Sequence, residues 1–75
     1  MSVGLLIREA RKRAGLTQEQ LAVASGITRG HVIALENGRY NPTVKTLSAI
    51  AEACGATLEV FFLSSNVGNT DISEE

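Results

Sequence analysis

The chain has 75 residues, 44% hydrophobic and 20% charged, enough for one domain that buries only about 60% of the surface its unfolded form exposes. Its single cysteine, Cys54, excludes an internal disulfide and reads as a core residue of a protein from a reducing compartment. No leader and no apolar run near the roughly 18 residues of a membrane span is visible, so a soluble, cytoplasmic protein is expected. The net charge of −1 is unevenly spread. The seven bases Arg8, Arg11, Lys12, Arg13, Arg29, Arg39 and Lys45 face only Glu9, Glu19 and Glu36 within 1–45, a net of +4. Residues 46–75 carry five acids and no base, a net of −5. A basic front on an acidic back can dock a polyanion; the charge pattern alone is equally consistent with an ordinary solvated surface.

Val3, Leu6, Ile7, Ala10 and Ala14 recur at helical spacing, with Ser2 as a cap and Gly15 as a stop, predicting a first helix over 3–14. Thr17 with Gln20 three residues on forms a capping box, and Leu16 and Leu21 flank it as a hydrophobic staple. A second helix follows over 18–25 and stops at Gly26. Thr28 caps a third over 29–36, with Ile27 and Val32 as its staple and Asn37-Gly38 as its end. After the loop Arg39-Tyr40-Asn41-Pro42, Thr43 caps a fourth helix with an apolar stripe of Val44, Leu47, Ile50, Ala51 and Cys54, ended by Gly55. Thr57 caps a last short helix over 58–63, with Glu59 near its positive end. Residues 64–75 are acidic and rich in Ser, Asn and Gly, the composition of a disordered tail. No strand pattern competes.

The second and third helices, joined through Ser25-Gly26-Ile27, have the spacing of a helix-turn-helix. In that motif the second helix enters the major groove with its N-terminal residues on base edges, and the first crosses the backbone. Thr28, Arg29, Gly30 and His31 open the inserted helix here, and Arg29 suits bidentate pairing with guanine O6 and N7. Val32 and Leu35 fall on the opposite face as anchors. Gly30 costs a helix interior about 1 kcal/mol against alanine; close approach to DNA is one reason to keep it, imperfect optimisation the other. His31, the only histidine, has no partners for a metal site and is either a base or phosphate contact or an idle surface residue.

Gly15-Leu16-Thr17-Gln18-Glu19-Gln20-Leu21-Ala22, then Gly26-Ile27, Leu35-Glu36-Asn37-Gly38, Pro42, Leu47 and Ile50-Ala51 resemble the lambda-repressor/Cro (XRE) family over about residues 4–63. The resemblance implies an all-α five-helix bundle over 1–63, a tail over 64–75, and a dimeric repressor or activator binding a two-fold symmetric operator in double-stranded DNA. Gln18 matches the family's phosphate-binding glutamine, which often braces a recognition side chain. Arg29, Gly30, His31 and Ala34 match base-facing positions. Asn37, Arg39, Tyr40 and Asn41, joined by Lys45, match the loop that grips the second strand's backbone. Arg11 and Glu36 match a buried structural ion pair between the first and third helices. Ile33 and Ala34 depart from the polar or small polar residues usual there, so base discrimination is either modest or rests on Arg29, Thr28 and DNA shape.

Residues 58–63 are apolar on nearly every side. Either Leu58, Phe61 and Phe62 pack inward and the rest is ordinary surface, or Val60, Leu63 and one of Phe61 and Phe62 form a two-fold interface; the second is the expectation. Two other functions suit the same chain: an antitoxin or restriction–modification controller on the same DNA-binding fold, and a protein-interaction module that has lost DNA. No cofactor or metal is expected, and no catalytic carboxylate pair or phosphate-cradling loop marks an enzyme.

Overall fold

The computed structural model describes residues 2–57, which form four helices: α1 (Val3–Arg13), α2 (Gln18–Ser25), α3 (Arg29–Glu36) and α4 (Val44–Ala53). No strand occurs among the described residues. The expected fifth helix, the tail, and Val60, Phe61, Phe62 and Leu63 lie outside them.

Each helix begins at a side-chain cap. The Leu5 N–H donates to Ser2 Oγ at 3.1 Å, the His31 N–H to Thr28 Oγ1 at 3.0 Å, and the Thr46 N–H to Thr43 Oγ1 at 3.0 Å. At α2 both halves of the capping box form: Gln20 N–H to Thr17 Oγ1 at 3.0 Å, and Thr17 N–H to Gln20 Oε1 at 2.9 Å. These bonds satisfy helix N–H groups that have no partner within the helix. The turn between α2 and α3 is set by Gly26, whose φ of 75° and ψ of 26° are left-handed, a region that costs every side chain but glycine's. The Ile27 N–H then donates back to the Ala22 carbonyl at 3.0 Å and closes the turn.

The core collects Leu6, Ile7 and Ala10 from α1, Leu21 and Ala22 from α2, Val32 and Leu35 from α3, and Leu47, Ile50 and Ala51 from α4. Leu16, Ile27, Ala53 and Cys54 pack partly buried against it, so the residues on either side of each expected staple share one cluster. α2 packs on both α3 and α4, and α1 on α3.

Three positions, Ala14, Val3 and Val44, differ from the sequence reading. The first helix ends at Arg13, with Ala14 as its C-cap and solvent-exposed. Val3 is 37% and Val44 72% exposed. Both stand at the first position of their helices, where the apolar stripe runs past the edge of the core it packs on.

A close backbone approach at Gly4 fixes α1 on α3. A Cβ on Gly4 would lie 2.5 Å from the Leu35 carbonyl oxygen and 2.7 Å from that of Glu36. Only glycine lets the helices approach so closely.

Candidate nucleic-acid interface

α3 divides cleanly between two environments. Val32 and Leu35 are fully buried, while Arg29 and Gly30 are exposed and His31, Ile33 and Ala34 half-buried. The period of 3.6 residues puts the N-terminal turn and Ala34 away from the anchors. Thr28 holds the start of this helix by its cap.

Thr28, Gly30, His31 and Ala34 line an open groove with Arg39 and Tyr40 from the following loop. The loop is tied to the helix by the Arg39 N–H, which donates to the Ala34 carbonyl at 2.9 Å. It is tied again by the His31 and Tyr40 rings, which meet edge to face with centroids 5.8 Å apart and planes at 75°. Such a pair holds both rings beyond the effect of area alone. Among the described residues Arg39 lines the groove and no acidic residue does, so its charge suits an anion.

The other expected contact residues lie around this groove, not in it. Arg29, Asn37, Asn41 and Lys45 are exposed. Asn37 is the C-cap of α3 and Lys45 sits in the first turn of α4. Gln18 stands at the first position of α2, half-buried, and its amide donates to Glu36 Oε1 at 3.2 Å. Its side chain is thus engaged by the carboxylate and not by a residue of the recognition face.

Arg11 and Glu36 meet behind the interface. Arg11 Nε donates to Glu36 Oε2 at 2.6 Å and Nη2 to Oε1 at 3.2 Å, a bidentate pairing. Nη1 donates to the Leu16 carbonyl at 3.0 Å. The two side chains are only 12% and 4% exposed. The hydrogen bonds to Glu36 hold the Arg11 guanidinium above its already high pKa, against the opposing effect of burial. The carboxylate at the end of α3 therefore joins α1 to the start of α2, and Arg11 extends the link to the α1–α2 connection.

Sequence reasoning missed the His31–Tyr40 pair, the Gln18–Glu36 bond and the Gly4 crossing. A glycine in the first turn of an otherwise amphipathic helix was the one signal for the crossing. Among the described residues no three His, Cys, Asp or Glu side chains group as metal ligands, and no helix is long and apolar enough to cross a membrane.

Residues 7–61 match the family model described as helix-turn-helix. Over 50 residues the chain is 56% identical to an uncharacterized HTH-type transcriptional regulator of Methanothermobacter thermautotrophicus, covering 67% of this chain and 72% of that protein. It is 44% identical over 55 residues to the immunity repressor protein of Bacillus phage phi105, covering 73% of this chain and 38% of the repressor. Its fold is similar to the restriction-modification controller protein C.AhdI from Aeromonas hydrophila, with a TM-score of 0.75, 33% identity, and 80% and 91% of the two chains covered.

Proposed function

The chain belongs to the XRE-type helix-turn-helix family and is a DNA-binding transcriptional regulator, and from that premise we propose that it is a cytoplasmic, dimeric repressor that reads a two-fold symmetric operator through α3. The observation that carries this reading is the division of α3. Its buried face is fully used by Val32 and Leu35, and its N-terminal turn carries Arg29, Gly30 and His31 outward beside a groove that Arg39 lines. Arg29 reads guanine, Thr28, Gly30, His31 and Ala34 face the base edges, and Asn37, Arg39, Tyr40, Asn41 and Lys45 hold phosphates. Gln18 meets a phosphate at the start of α2 while its amide stays on Glu36. The protein acts by binding and not by catalysis.

The dimer follows from dimensions. α3 has eight residues, about 12 Å of helix, which spans only a few base pairs. Two copies on half-sites about 34–36 Å apart would double the contact. The apolar sequence 58–63, with Val60, Phe61, Phe62 and Leu63, supplies the interface. Repression is supported by the likeness to the phage immunity repressor.

Selection from random duplex DNA, with the solution mass measured alongside, tests the proposal. A two-fold symmetric site bound by a dimer, with affinity falling linearly on a log–log salt scale, is the expected result. An asymmetric site bound by one copy would remove the dimer. No salt-dependent binding would remove the DNA contact itself.

A second reading is favoured by one observation, the fold likeness to a restriction–modification controller over 91% of that protein. Such a controller uses the same interface, and the identity of the regulated gene beside the selected site separates it from other repressors.

A further inference from the structure

Six glycines fall among the described residues, and five of them have a reason inside the fold. Gly15, Gly26, Gly38 and Gly55 have φ between 75° and 85°, and Gly4 lies against the α3 backbone. Gly30 has neither. Its φ is ordinary, and a Cβ built there would meet nothing closer than Thr28 Oγ1 at 3.9 Å, an ordinary contact. Alanine would fit without strain and would stabilise the helix. Nothing among the described residues therefore requires glycine at this position, and the space beside it is open to a ligand.

The space an alanine methyl would take opens into the groove of Thr28, His31, Ala34, Arg39 and Tyr40. Ala34 follows Gly30 one turn on, on the same side of α3. Neither residue has a side chain that hydrogen-bonds a base, so this strip discriminates only by shape and apolar contact. The apolar group that projects from base edges into the major groove is the thymine C5-methyl. We propose, resting on the DNA-binding reading above, that Gly30 and Ala34 form a notch that seats a thymine methyl, walled by the His31–Tyr40 ring pair. Gly30 is thus a specificity-determining residue whose contribution is a missing methyl on the protein matched to a present methyl on the base. A phosphate in the same space would be indifferent to that methyl.

The test compares the full chain with Gly30→Ala on the duplex selected from random DNA, and on copies in which each thymine in turn is replaced by deoxyuridine. Gly30→Ala melts a few degrees higher than the parent, which shows it folded. It binds the thymine duplex about tenfold or more weakly, because the base edge is held off. For the parent, one uracil substitution beneath α3 weakens binding about fourfold, the contribution of one buried methyl. For Gly30→Ala that same substitution has no effect or improves binding. The proposal is overturned if Gly30→Ala binds as tightly as the parent. It is overturned equally if every uracil substitution is neutral, if the variant stays as sensitive to uracil as the parent, or if the selected site lacks thymine at that register. Absence of any salt-dependent duplex binding by the parent is a different failure, that of the DNA-binding reading itself.

Discussion

Removing the Glu36 carboxylate should separate stability from recognition. In Glu36→Ala, Arg11 loses its bonds to Oε1 and Oε2 and keeps only the Leu16 carbonyl at 3.0 Å, while Gln18 loses its acceptor. Breaking one side of a buried pair costs about 3–5 kcal/mol, because the remaining charge is left desolvated. Arg11 is 12% exposed and can turn partly toward water, so the lower end applies, about 3 kcal/mol. A 75-residue chain holds about 4–11 kcal/mol in total, so the loss consumes a large share. At about 4–8 °C per kcal/mol for a domain of this size, the melting temperature falls by about 12–24 °C. Thermal unfolding followed by circular dichroism measures it, and a cycle with Arg11→Met and the double variant assigns it. The double variant should be more stable than Glu36→Ala alone, since no unpaired charge remains buried. A loss below about 1 kcal/mol, or a double variant as unstable as the two singles added, would show that the pair behaves as a surface contact and refute the reasoning.

Three further outcomes follow from other parts of the molecule. Gly4→Ala forces a Cβ to within 2.5 Å of the Leu35 carbonyl, so α1 and α3 must separate; it should lower stability by about 1–3 kcal/mol despite alanine's better helix propensity, and a gain on denaturant titration would mean the helices relax freely. Arg29→Ala should weaken binding by about 1–3 kcal/mol at a single base position, read by competition among operator variants; equal losses on all sequences would place Arg29 on a phosphate instead. Burial pushes the Cys54 thiol above its ordinary value of 9.0, with Arg13 and then Arg11 pulling the other way more weakly. The folded state therefore holds that proton longer than the unfolded chain, so the contribution is complete below the ordinary value and lost as pH rises through the raised one. The stability difference between the parent and Cys54→Ala should shrink toward alkaline pH in urea titrations from about pH 7 to 10, and a constant difference would count against the burial.

What the sequence made legible was local. A threonine just ahead of an apolar helical stripe specifies an N-cap through atoms only a turn apart, as at Thr17, Thr28 and Thr43, each of which stands at its cap, and Gln20 completes a capping box at Thr17 alone. Periodicity located the core faces but not the edges of the core, which is why Val44 continues the stripe of α4 and is yet exposed. The long-range contacts had no local code. Arg11 and Glu36 are 25 positions apart and were suggested by resemblance alone, while the groove pair of His31 and Tyr40 and the Gly4 crossing depend on neighbours that only the folded chain supplies.

These constraints are distributed with a direction. The Gly4 crossing, the Arg11 guanidinium and the Gln18 amide all act at Leu35 and Glu36, the C-terminal end of α3. A carboxylate is unfavourable at that end, where the helix dipole is negative, and the guanidinium offsets both charges at once. The N-terminal half has Val32 and the Thr28 cap as its supports, and carries Arg29, Gly30 and His31 outward. α3 is thus clamped at one end and offered at the other, so its exposed turn keeps a fixed aim although few of its own side chains bind the protein. Damage at the clamp should lower the melting temperature and weaken every sequence alike, whereas changes at Arg29, Gly30, His31 and Ala34 should alter base preference at little cost to folding. Glu36→Ala and Gly30→Ala lie at the two ends of the helix and are expected to move stability in opposite directions; if both shifted base preference to the same degree, the two ends would not divide holding from reading.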